Sequence, residues 1–159
     1  MDYIDRASSP MRATCIPPLA WYEAKRGRPE VGYDLCMRGV AMCDDAGIFW
    51  APTMALAYRA RISMKFGVGD QRAALREAVE VGREKRAWFA VWLALGESVP
   101  WLRGQNYRDA AQAIESYIEA KGMWYRRPEA QAPTLERAAR SFRMKRDELI
   151  DFVLFFLLE

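Results

Sequence analysis

Residues 70–96 read DQRAALREAVEVGREKRAWFAVWLALG, and this stretch decides the fold class. Its first half sets Arg72, Arg76, Glu77, Glu80, Arg83 and Glu84 at three- and four-residue spacings, which makes them neighbours on a helix surface. The signs are mostly opposite, so this run reads as a solvated face rather than a binding site. Its second half, AWFAVWLAL, is apolar nearly all round, as expected of a helix entering a core. With Asp70 placed to cap the first turn, the expectation is one helix of about 25 residues ending at Gly96.

The helical bias extends in both directions. The 159 residues include 24 Ala and 12 Leu against 18 β-branched residues, and no stretch alternates apolar and polar for long. A 52% hydrophobic share with 13% aromatics suffices for a packed core and excludes disordered and low-complexity classes. The expected fold is all-α: a compact helical domain of about five helices over 30–159, preceded by an irregular arm at 1–29. Pro10, Pro17, Pro18 and Pro29 set the arm apart, leaving room for a short turn at Leu19 to Lys25.

Helices are expected from Glu30 to Asp45, with Gly39 weakening the middle and Gly47 as C-terminal cap, and from Pro52 to Phe66, stopped by Gly67 and Gly69. Another runs from Tyr107 to Lys121, capped by Asn106, with Ala110, Ala113, Ile114, Tyr117 and Ile118 on one stripe. The last begins at Thr134. GVGDQRAALREAVE (67–80) and GQNYRDAAQAIESYIEA (104–120) each resemble the second half of a tetratricopeptide unit, without matching first halves.

Net charge is only +3, yet 19 of the 24 basic residues are Arg, whose rigid fork of donors fits phosphates, base edges and carboxylates. The absence of His excludes Ser-His-Asp and Cys-His catalysis and imidazole metal sites. Three cysteines, Cys15, Cys36 and Cys43, cannot complete a zinc site of about four N or S ligands. Cys36 and Cys43 stand seven apart on one helical face and read as small buried residues in a reducing, cytoplasmic setting. The N-terminal MDYIDRASSPMR is charged throughout and lacks the apolar region of a secretory signal. The longest apolar stretches, of about ten residues, fall short of the roughly 20 that span a membrane. Asp44 and Asp45 with Glu77 or Asp34 form only a weak divalent-metal candidate, and Ser63 and Lys65, two apart on a helix, do not face each other. The expectation is a protein that is not an enzyme and has no metal or cofactor.

Lys25-Arg26-Gly27-Arg28-Pro29 resembles the core of an AT-hook, a minor-groove reader in which Gly allows close approach and Pro holds the segment extended. That resemblance implies that Arg26 and Arg28 enter the groove; the competing reading is a basic surface turn. Residues 30–66 resemble a helix-turn-helix with its turn at Gly47-Ile48-Phe49-Trp50, Met42 and Ala46 inside the angle of the helices and Ile48 plugging the turn. Its second helix carries Arg59, Arg61 and Lys65 without an acid, suiting phosphates, while its first turn offers little to read bases with. A second helix-turn-helix-like pattern lies at 134–158, where Arg137, Arg140, Arg143, Lys145 and Arg146 form a basic cluster. Between them, Trp124, Tyr125, Arg126 and Arg127 suit base stacking beside phosphate contacts, or else an aromatic plug over the core.

Phe152, Phe155, Phe156 and Leu158 spread around the last helix, so a protein partner or a second copy is expected to meet some of them. The preferred expectation is a small non-enzymatic nucleic-acid-binding protein, such as a DNA-binding regulator or accessory factor of a phage, plasmid or other mobile element. The competing one is a helical protein-binding module, such as an inhibitor or a small subunit of a ribonucleoprotein complex.

Overall fold

The computed structural model describes residues 9–45 and 51–120, together with Ile150, Asp151 and Leu154. The chain is all-helical there, as its composition requires, and no strand occurs among the described residues. Six helices have described bounds: α1 Ser9–Lys25, α2 Pro29–Asp45, α3 Ala51–Phe66, α4 Gln71–Glu84, α5 Trp88–Gly104 and α6 Arg108–Ala120. Ile150, Asp151 and Leu154 are helical too, and Ile150 is fully buried. No described helix is long and apolar enough to cross a membrane.

The expected irregular arm is corrected by α1, which runs through Pro17 and Pro18. Each proline lacks an amide for the helical ladder and disfavours the conformation before it, at a cost of about 3 kcal/mol in a helix interior. Burial opposes that cost, because Ile16, Ala20 and Ala24 face inward and are excluded from solvent. Tertiary packing therefore overrides the local preference.

The expected helix over 70–96 is also corrected. It breaks into α4 and α5 at Lys85–Ala87, and α5 continues past Gly96 and Pro100 to Gly104. At the break the Ala87 N–H donates to the Gly82 carbonyl (2.7 Å) and the Arg86 N–H to the Arg83 carbonyl (3.1 Å), with Arg86 at φ +54°. These are the two reversed bonds of a Schellman C-terminal cap. The same pair closes α5, where the Tyr107 N–H donates to Leu102 and Asn106 sits at φ +68°. Asn106 thus ends one helix instead of capping the next. Asp70 does what the sequence implies, its carboxylate accepting from the Ala73 N–H at 3.0 Å at the start of α4.

The fold divides into two compact units, residues 1–94 and 95–159, with α5 crossing the boundary. In the first unit α1, α2 and α3 pack pairwise on one another, and α4 packs on α3. Small residues line the seam. A Cβ at Gly39 would meet Ile16 Cγ2 at 2.8 Å and Ala55 Cβ at 3.6 Å, and one at Gly32 would meet the Ala20 carbonyl oxygen at 2.4 Å. Gly32, Cys36 and Gly39 therefore let α2 approach α1 and α3 closely, whatever Gly39 costs in helix propensity. Cys36 and Cys43 are both buried, as their spacing implies. The inward stripe of α4 is Ala74, Leu75, Ala78, Val79 and Gly82. In the second unit all five residues of the expected α6 stripe are buried, and Arg103 of α5 pairs with Glu115 of α6.

Candidate nucleic-acid interface

The end of α1 and the last turns of α3 build one basic and aromatic face. Trp21 lies at its centre, with Phe66 edge-on to it at a centroid distance of 6.0 Å. The Arg61 guanidinium stands 4.0 Å from the Trp21 ring centroid, and the Lys25 and Lys65 ammonium groups stand 5.4 Å from it. Helix geometry explains the convergence: Lys25 is one turn beyond Trp21 on α1, and Arg61 and Lys65 are one turn apart on α3. Arg61 also lies 5.4 Å from the Tyr58 ring, one turn earlier on α3. Beside this group Tyr22 is 54% exposed, with the Arg26 guanidinium 5.5 Å from its ring.

A cation over an aromatic face gains about 0.5–1 kcal/mol at an exposed site, which holds these long side chains in place. Gathered around one ring, the cations also repel one another, and an anion among them relieves that repulsion. Acids are scarce on these two helices. α3 has none, and the single acid of α1, Glu23, is engaged by Arg28.

The segment that resembles an AT-hook core is not extended. Arg28 N–H donates to the Glu23 carbonyl (3.1 Å) and Gly27 N–H to the Ala24 carbonyl (3.2 Å), with Gly27 at φ +83°. Gly27 is thus the left-handed residue that caps α1, and Pro29 is the first residue of α2. The Gly and Pro that suggested a groove reader serve a tight helix–helix connection, so the segment is not held extended as that resemblance implies. Arg26 and Arg28 remain at the surface, Arg28 in its pair with Glu23.

Arg59 is placed differently from its neighbours Arg61 and Lys65. It is 4% exposed, donating through Nη2 to the Glu77 carboxylate and through Nη1 to Met37 Sδ at 2.9 Å, with the Tyr33 ring 5.8 Å away. Its Nε meets no acceptor among the described residues. This cation joins α2, α3 and α4, which takes it off the face expected to meet phosphates. Its partner Glu77 stays on the exposed face of α4, where Arg76 and Glu80 stand 3.9 Å apart.

Among the described residues no group of three or more His, Cys, Asp or Glu is placed to hold a metal ion. Ser63 Oγ donates to the Val68 carbonyl at 2.6 Å, which ties it into the end of α3. Burial pushes the Cys36 thiol up to about 12 against a lesser opposing pull from Arg59, which makes it a core residue rather than a nucleophile. Trp124, Tyr125, Arg126, Arg127, Arg137, Arg140, Arg143, Lys145, Arg146, Phe152, Phe155, Phe156 and Leu158 lie outside the described residues, as do residues 46–50, which include the expected turn.

Sequence reading missed Trp21, Tyr22 and Tyr58. For Trp21 and Tyr22 the available signal was the four-residue spacing to Lys25 and Arg26, which counts only once 9–25 is known to be helical, whereas the three-residue spacing of Tyr58 to Arg61 already lay on an expected helix. No family model, curated protein or solved structure matches this chain.

Proposed function

We propose that this chain is a non-enzymatic nucleic-acid-binding protein that takes hold of the phosphate backbone with the face formed by Lys25, Arg26, Arg61 and Lys65. The observation that supports this reading is the gathering of Lys25, Arg61 and Lys65 from two helices around the Trp21 ring. Two features singled out separately in the sequence, the 25–29 stretch and the set Arg59, Arg61 and Lys65, thereby contribute Lys25, Arg61 and Lys65 to one surface. Long-range attraction also draws on the run from Arg137 to Arg146, which holds five positive charges and no acid. A role as a regulator or accessory factor of a mobile element is consistent with a small binding protein of this kind.

The test is the salt dependence of binding to labelled duplex and single-stranded oligonucleotides. On duplex DNA log affinity should fall with log salt by about 0.9 per phosphate neutralised, and on a single strand by about 0.7. Replacing Lys25, Arg61 and Lys65 together by Gln should flatten the duplex slope by up to about three units. A folded variant with an unchanged slope would remove this face from the contact.

A further inference from the structure

We infer that the nucleic acid held by this face is single-stranded and that Tyr22 is the ring on which one of its unpaired bases stacks. The inference rests on the phosphate-binding reading above. Trp21 cannot serve as the platform, because it is partly buried, its face is taken by three cations and Phe66 meets it edge-on. Tyr22 is the next residue, about 100° further round α1. It is one of the few large apolar side chains that the described residues leave more than half exposed.

The outer stripe of α1 carries Cys15, Pro18 and Tyr22, and Arg26 follows just past its end, all exposed. Among the described residues Tyr22 is thus the one exposed aromatic of α1, with the Arg26 guanidinium over one face of its ring, the other face left for a base, and the cations of Trp21 to one side. That is the layout of a backbone track with a base platform next to it: charge fixes the phosphates, and a π-face receives a base without regard to its identity. A duplex gives such a platform nothing to stack on, because its bases are already stacked and paired and expose only their edges. A single strand can turn a base outward at little cost. An acidic protein segment would satisfy the cations, but it would leave the Tyr22 ring without a planar partner.

The experiment compares three probes of equal length by fluorescence anisotropy with the full chain: an oligodeoxythymidine, the same backbone made abasic, and a duplex. The wild type should bind the oligodeoxythymidine about 5- to 150-fold more tightly than the abasic strand, the range for one base on one ring. Tyr22→Ala should erase that preference, whereas Tyr22→Phe, which keeps the ring, should retain it. Tyr22 is exposed, so both variants are expected to fold, and circular dichroism checks this. Equal wild-type binding of intact and abasic strands, or a preference that survives Tyr22→Ala, overturns the inference while the phosphate reading stands. Binding to none of the three probes overturns both.

Discussion

Replacing Gly32 by Ala adds one methyl group to α2, and its effect on stability is decided by α1. A Cβ there lies 2.4 Å from the Ala20 carbonyl oxygen and 3.2 Å from both Ala24 Cβ and Ile62 Cδ1. The first of these contacts is with backbone, which no side-chain rotation relieves, so α1 must retreat by about 1 Å. A gap of that size forfeits roughly a quarter to a half of the dispersion well for each atom pair along the seam. Overpacking costs about 1–3 kcal/mol, and Ala in place of a helical Gly returns up to about 1 kcal/mol. The net expectation is a loss of about 1 kcal/mol, or roughly 2–4 °C in Tm for a chain of this size.

Gly104 supplies the control. It is also helical, but nothing lies within 4 Å of its Cβ position, so Gly104→Ala should gain from a few tenths to about 1 kcal/mol. Urea unfolding followed by far-ultraviolet circular dichroism measures both. A Gly32→Ala variant as stable as the wild type would refute the close seam between α1 and α2.

Two further expectations concern the α4–α5 connection and the thiols. Arg86 holds φ +54° without being Gly, a conformation that costs about 1–2 kcal/mol, so Arg86→Gly should raise stability by up to about 1 kcal/mol in a thermal melt. A fall instead would mean that the Arg86 side chain, not its backbone, holds the turn. A thiol reagent should label Cys15 in the native chain and reach Cys36 and Cys43 only on unfolding; immediate labelling of all three would contradict their burial. Because the Cys36 thiol is raised from 9.0 to about 12 by burial, the unfolded chain loses that proton first. The Cys36 contribution is therefore intact below pH 9.0 and is lost as the pH climbs towards about 12. Cys36→Ala should show a shallower fall across this window, and an identical fall would exclude Cys36 as its source.

Local chemistry was enough, in the sequence, to determine the helical class and much of its punctuation. The Asp70 cap, the α6 stripe and the buried pair Cys36 and Cys43 follow from spacing and side-chain type within a few residues, and each is found in place. What the sequence alone could not show depends on atoms far away in the chain. Pro17 and Pro18 argue against a helix in every local respect, and only the burial of Ile16, Ala20 and Ala24 explains why one forms. The α4–α5 break carries no Gly or Pro, because its left-handed residue is Arg86 and its reversed hydrogen bonds are made by backbone that any sequence possesses.

The same limit governs the candidate site. Arg59 and Arg61 are alike to a reader of the sequence, two basic residues on one helix without acids. Two positions differ by about 200° around a helix, so one guanidinium enters the junction of α2, α3 and α4 and the other lies over Trp21. Which of the two is buried was settled by the packing of α3 between its neighbours, through contacts with Met37 and Glu77 that lie 22 and 18 residues away from Arg59.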